Sequence, residues 1–295
     1  MAVSIGKDAM TSNSARLAVV SGASGGIGRT IVDRLVREGF SVLCLTGQSP
    51  PPLNILRMQE GQMYAYFSRP LESADFVYDF SAYLYDLLDN KFIPGTTDLI
   101  DLKPELLVIA HGAAPALVPS SSPDVLDAIN NVFDVDVMGA AKLCNIVGQY
   151  MLDAGHGSIA LVSSLHAYQT YPARLPYAIA KSAMLGMSRA LAVEWGGRGV
   201  RTNVILPWQV LGSRTQRLAD VQRHYGEDLI ESYKRKSPMR RLIHPEEIAD
   251  AIMFLHSTPS ANGVELVLDG GVSQSMWYQP FVDNIHDTAV PESRA

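Results

Sequence analysis

The stretch LAVVSGASGGIGRTIVDRLVREGFSVLCLT, residues 17–46, decides how the rest of the chain is read. An apolar, β-rich run at 17–21 leads into a glycine-rich turn. Beyond the turn, Ile27, Ile31 and Leu35 recur on one stripe with Val32 and Val36 beside them. That spacing predicts a helix over about 26–38, which Gly39 stops. A second apolar run comes next at 41–46. Strand, tight turn, helix and strand in succession make the unit from which parallel sheets are assembled.

The same alternation continues outward. Further apolar runs lie at 63–67, 106–110, 158–163, 202–206 and 264–268, and helical patterns at 124–153, at 176–195 and from near Pro245. Continuous apolar runs separated by helices predict a parallel sheet buried on both faces. The expected fold is an α/β, doubly wound Rossmann sheet of about seven strands in a single domain over 15–275. Residues 1–14 and 276–295 read as tails. Residues 208–243 break the rhythm after Pro207, with many charges, Trp208, Tyr225 and Tyr233. An excursion at the carboxyl end of a strand often caps a binding site, and a solvated insertion fits the pattern as well.

Composition narrows the function. With 295 residues, 47% hydrophobic and 18% charged, the chain can build a sizeable core. A formal charge of −6 argues against nucleic-acid or anionic-membrane partners, which favour basic patches. No apolar run is long enough to span a bilayer, and the first fourteen residues lack the apolar core of a secretory signal. Cys44 and Cys144 sit in apolar runs without metal-ligand spacing, so two buried thiols, no metal and a cytoplasmic setting are expected.

The turn SGASGGIG at 21–28 lies between the first strand and the first helix. Glycine there lets backbone N–H groups approach a pyrophosphate, and the helix N-terminus adds about half a positive charge. Gly22, Ser24, Gly26, Ile27 and Gly28 are therefore candidate dinucleotide ligands. The spacing is Gly-x-x-x-Gly-x-Gly rather than Gly-x-Gly-x-x-Gly.

Tyr177 and Lys181 stand four residues apart in a helical pattern and so share a face. An ammonium beside a phenol favours the phenolate, which can exchange a proton with an alcohol or carbonyl oxygen. Ser164 closes the fifth strand, where its hydroxyl can hydrogen-bond a substrate oxygen gaining negative charge.

With these pieces in order, the chain resembles the classical short-chain dehydrogenase/reductase family from Arg16 to about Val272. The family's glycine motif matches Gly22, Gly26 and Gly28, and its catalytic residues match Ser164, Tyr177 and Lys181. VRTNVILP (200–207), RLIHPEEIADAIMFL (241–255) and LDGG (268–271) match as well. The resemblance implies hydride transfer between a nicotinamide and a substrate carbon. Tyr177 would be acid or base, Lys181 would bind the nicotinamide ribose and relay the proton, and Ser164 would orient the substrate oxygen. It also implies a homodimer or homotetramer formed through the long helices.

The chain departs from the family pattern at four places. Asp136 replaces an Asn that supports a water in the proton relay; it is carried as a catalytic candidate, against the plainer reading of a local helix contact. Ile109-Ala110-His111-Gly112 replaces Asn-Asn-Ala-Gly, keeping Gly112 beside the cofactor, with His111 expected to be structural rather than a base. Pro207 is followed by Trp208 instead of glycine, an indole that either narrows the pocket and stacks on substrate or packs the following loop. After the second strand, Gly47 and Gln48 stand where an acidic residue would select NAD or a basic one NADP. No carboxylate repels a phosphate there, so NADP is expected, with NAD as the alternative.

The reading is thus an NAD(P)(H)-dependent oxidoreductase interconverting a carbonyl and a secondary alcohol on a small or medium, possibly cyclic, substrate. Leu165, His166, Tyr171, Trp208 and Leu211 are the expected pocket residues. A dehydratase or epimerase without net redox, or a non-catalytic nucleotide-binding regulator, is the alternative on the same fold.

Overall fold

A computed structural model of the chain describes residues 4–5, 15–47, 62–90, 101–113, 117–212, 215 and 229–275. Among them, eight strands form one sheet: β1 Ser4–Ile5, β2 Ala15–Ser21, β3 Ser41–Thr46, β4 Met63–Ser68, β5 Leu102–Ile109, β6 Gly157–Val162, β7 Val200–Pro207 and β8 Glu265–Leu268. Their spatial order is β1-β4-β3-β2-β5-β6-β7-β8. The seven strands from β2 onward are parallel, as expected from their uninterrupted apolar runs. Ser4–Ile5, inside the stretch read as a tail, adds a short antiparallel edge against Met63 and Tyr64.

Side-chain alternation along the strands builds two cores. Leu17, Val19, Leu43, Leu107 and Ile109 face one side of the sheet, and Ala18, Val20, Val42, Leu106 and Val108 the other. The first side is covered by α2 (Phe76–Leu88), α4 (Gly139–Ala154) and α5 (Leu175–Gly196). The second is covered by α1 (Gly26–Arg37) and by the helix Pro245–Ser257. Burial on both faces explains why these strands carry no polar alternation. Chain order reverses direction between β2 and β5, and a crevice opens there at the carboxyl ends of the strands.

The helical stretch expected over 124–153 is interrupted. α3 spans Val125–Phe133, a π-helical turn occupies Asp134–Met138, and α4 continues from Gly139. Such a turn holds one residue more than an α turn and shifts the direction of its side chains. Between β7 and the last helix, the described part of the 208–243 excursion contains α6 (Leu229–Lys236), and Pro245–Ser257 is then α7. Its base is tied to the body by a bridge between Val210 and Ile243 and by the Arg241–Glu247 ion pair at 2.6 Å. Cys44 and Cys144 are buried, unpaired thiols, and burial pushes each up to about 12. Among the described residues, no helix is long and apolar enough to cross a membrane.

Candidate active site

The glycine turn is shaped by its own backbone. Gly22 lies at φ +70°, and a Cβ on it would come within 2.6 Å of the His111 nitrogen. A Cβ on Gly28 would meet the Gly22 carbonyl oxygen at 2.1 Å, so the first turn of α1 can press against the end of β2 only without side chains. Gly26 differs: a Cβ there would meet nothing of the protein within 4 Å. The space beside Gly26 is left to something other than the protein.

That space opens into a cleft of about 360 Å³ lined by Gly22, Ser24, Gly25, Gly47, Arg69 and Gly112, among others. The N–H groups opening α1 have no partner earlier in the helix, so the cleft combines anion-binding donors with a narrow, glycine-walled slot. These residues fit the pyrophosphate and adenosine half of a dinucleotide. Ile27 is half-buried, packing against the core beneath the turn. Gln48, expected beside the ribose, lies outside the described residues. Arg69, at the end of β4, carried no signal in the sequence. It enters the cleft with its guanidinium held by Asp79 at 2.5 Å and by Asp75 at 3.8 Å.

His111 ties this cleft to the π turn. Its Nε2 lies 3.0 Å from the carbonyl oxygen of Val135, which can only accept, so Nε2 carries the proton. Nδ1 then accepts from the Ser21 hydroxyl at 2.7 Å. Burial, with a smaller opposing contribution from Asp136, lowers His111 from its ordinary 6.5 to about 4. This neutral, doubly bonded ring is the structural histidine expected, not a base.

Asp136 projects from the same π turn and is wholly buried. Its Oδ1 accepts the Ala113 N–H at 2.6 Å, and its Oδ2 lies 3.0 Å from Nζ of Lys181. The contacts are long-range rather than local to the helix, and they are made by the carboxylate. Gly112 runs past the pair closely enough that a Cβ on it would stand 3.3 Å from both Oδ2 and Nζ.

Lys181 and Tyr177 lie on α5, as their spacing predicts, with Nζ 5.5 Å from the centre of the Tyr177 ring. Pro176 sits in the first turn of that helix, where its missing N–H costs no bond. Ser163 donates to the Lys181 carbonyl at 2.8 Å and locks α5 to the end of β6. Ser164 caps the short 3-10 turn Leu165–Ala167, its Oγ accepting the His166 N–H at 3.2 Å. Since the hydroxyl accepts that bond, its own proton remains to donate.

The expected pocket residues separate into two groups. His166 stands edge-on to Tyr177 and Tyr171, at 5.4 and 4.8 Å between ring centres, and Trp208 stands edge-on to Tyr233 at 5.8 Å. Tyr233 also hydrogen-bonds Tyr171, and burial raises its hydroxyl to about 12. The rings thus form one continuous aromatic wall beside Tyr177. Leu165 does not belong to this wall. It is 3% exposed and contributes its carbonyl, which accepts from Tyr168 and Gln169, because the 3-10 turn points its side chain inward. Leu211 is exposed and bound by its N–H to the Ile243 carbonyl, and no described contact joins it to the aromatic wall. Pro207 ends β7 opposite Leu268, immediately before Trp208. Arg174, the residue before α5, is a second cation that the sequence left unmarked. Its Nε donates to the Tyr171 hydroxyl at 3.1 Å.

Comparison with known proteins agrees with this geometry. A family model described as enoyl-(acyl carrier protein) reductase matches residues 104–273. D-threitol dehydrogenase of Mycolicibacterium smegmatis is 28% identical over 87% of this chain and 92% of its own. 2-Keto-3-deoxy-L-fuconate dehydrogenase of Xanthomonas campestris is 32% identical over 60% of this chain and 64% of its own. A crystal structure from Beutenbergia cavernae, described as a candidate NAD(P)-dependent gluconate 5-dehydrogenase with bound NADP at low occupancy, superposes with a TM-score of 0.73. It is 27% identical and covers 89% of this chain and 98% of its own.

Proposed function

The chain belongs to the short-chain dehydrogenase/reductase family, and on that footing we propose that it reduces a carbonyl, or oxidises the corresponding secondary alcohol, with Tyr177 as the proton-transfer residue. The observation that carries the reading is the placement of Tyr177, Lys181 and Ser164 around the end of β6, next to the glycine-walled cleft. When bound in that cleft, a nicotinamide cofactor supplies or takes up the hydride.

In reduction, the Tyr177 hydroxyl gives its proton to the substrate oxygen while Ser164 donates a hydrogen bond to the same atom. In oxidation the Tyr177 oxygen takes that proton back. Lys181 places a positive charge beside the Tyr177 ring and reaches the cofactor ribose. Asp136 holds Lys181 and the Ala113 N–H together, so the relay and the loop at 110–113 are fixed by one carboxylate.

NADP(H) is the proposed cofactor, with NAD(H) as the alternative. Gly47 presents no carboxylate, Arg69 supplies a cation to the same cleft, and a relative of similar fold carries NADP. Gly22, Ser24, Gly26, Ile27, Gly28, Gly47, Gly112 and Pro207 are the proposed cofactor contacts. The substrate site lies between Ser164, the aromatic wall and the 208–243 segment, which we assign as a lid on a single domain spanning 15–275. Two relatives are named for a polyol and for a sugar acid, which supports a small polar substrate. Exposed Leu126, Ile179 and Val193 on α3 and α5 support a homodimer or homotetramer, and the two unpaired thiols suit the cytoplasm. Light scattering tests the first of these.

The deciding experiment follows reduced-nicotinamide absorbance with a carbonyl panel, comparing the native protein with Tyr177→Phe. Substrate-dependent oxidation of NADPH that falls about 1,000-fold in the variant, with nucleotide binding retained, supports the reading. Equal activity in the two proteins overturns it.

A further inference from the structure

We propose that Arg174 makes this site selective for an anionic substrate, a hydroxy or oxo acid whose carboxylate pairs with the guanidinium while its reacting carbon lies at Tyr177. The inference rests on the oxidoreductase reading above and adds the class of substrate.

Arg174 stands three residues before Tyr177, immediately ahead of α5, so the two positions differ by roughly 5 Å along the helix axis. Its Nε bonds the Tyr171 hydroxyl at 3.1 Å, and its guanidinium carbon lies 5.3 Å from the Tyr171 ring centre. The Tyr171 ring meets His166, and His166 meets Tyr177. The cation is therefore held on the aromatic wall that faces the proton-transfer residue.

The chain conformation leading to it is also unusual. Ala173 has φ +63°, a left-handed conformation that costs a non-glycine residue about 1 kcal/mol. The Ala173 carbonyl accepts the Val118 N–H at 3.0 Å, which helps hold the turn in place. Strain of this kind persists where the surroundings over-determine it and tends to gather at binding sites. Here it fixes the direction from which Arg174 enters the wall.

The charges within the wall favour an anion. Burial, aided by the Arg174 charge, lowers His166 to about 4, so at neutral pH its ring is uncharged. Tyr171, Tyr233 and Trp208 supply apolar faces, and the guanidinium supplies a permanent positive charge. Glu265 is engaged with Arg189 and Tyr168, and Asp269 with the N–H groups of Gly271 and Ser273. A planar guanidinium fork matches a carboxylate in two parallel hydrogen bonds, and the low-polarity surroundings strengthen them.

The test pairs short-chain oxo acids with their methyl esters and measures kcat/KM with NADPH. The native protein is expected to favour acid over ester by at least about 10-fold, mainly through KM. Arg174→Gln should bring that ratio close to one, and Arg174→Lys, which keeps the charge but not the fork, should recover part of it. No acid preference in the native protein, or a ratio that persists in Arg174→Gln, overturns the proposal. If Arg174→Gln does not fold, the native ratio and Arg174→Lys decide. If no compound is turned over, the oxidoreductase reading has failed and calorimetry with succinate decides instead. Succinate binding weakened at least about 10-fold by Arg174→Lys or Arg174→Gln supports an anion site; unaltered or undetectable binding overturns it.

Discussion

The Nζ of Lys181 and the Oδ2 of Asp136 lie 3.0 Å apart, and both side chains are shut away from solvent. Removing one member of a buried pair leaves the other as an uncompensated charge. Asp136→Ala is therefore expected to lower unfolding stability by about 3 kcal/mol, measured by urea denaturation. Asp136→Asn keeps the shape and an acceptor for the Ala113 N–H but withdraws the negative charge. Lys181 then favours a deprotonated proton acceptor more strongly, so the rising limb of kcat/KM for alcohol oxidation should move to lower pH. An unchanged profile would take the carboxylate out of the relay.

Two glycines in one turn should fail in different ways. Gly28→Ala drives a methyl group into the Gly22 carbonyl at 2.1 Å and should lower the melting temperature as well as nucleotide affinity. Gly26→Ala meets no protein atom within 4 Å, so it should melt like the native chain yet bind NADP at least about 10-fold more weakly. Thermal denaturation and calorimetry on the same samples separate the two. Native-like affinity in Gly26→Ala would move the pyrophosphate elsewhere.

Arg69 provides a cofactor test independent of turnover. Arg69→Ala should raise the Kd for NADP about 10-fold and change that for NAD far less, because the lost partner is the extra phosphate. Glu72 lines the same cleft and opposes a phosphate, so Glu72→Gln should shift affinity towards NADP. Equal losses for both nucleotides in Arg69→Ala would assign the arginine to the adenine or to structure alone.

Acid should loosen the fold through its buried rings. His111 and His166 are each lowered to about 4 in the folded chain, against an ordinary 6.5. Between those values the unfolded chain binds more protons, so stability is complete above about 6.5 and is lost as pH falls towards 4. The urea midpoint should fall across that window. His111→Gln, which cannot titrate there, should flatten the slope.

The strands were legible because each is buried on both faces and so writes an unbroken apolar run. Helix α2 was not read. In FVYDFSAYLYDLL the exposed Tyr78 and Tyr85 blur the stripe that Phe76, Phe80, Leu84 and Leu87 make against the core, and the aromatic content resembles a strand. Tyr177, Lys181 and Ser164 were legible from spacing and order. Arg69 and Arg174 were not, since no spacing tells which of many arginines turns towards a cleft. Leu165 was assigned to a surface because sequence proximity to Ser164 cannot show that a tight turn reverses the side chain.

The π turn at 134–138 leaves the active site exposed to a small genetic accident. Loss of one codon within it would let α3 and α4 merge into an ordinary helix, rotating α3 by roughly 100° about the axis of α4. The strands and their two cores would be untouched, and the product would still be folded. With the carboxylate swung off the ammonium and the Val135 carbonyl off the imidazole, such a deletant would be a sound scaffold with a broken engine, which makes it the variant that best separates architecture from chemistry in this protein.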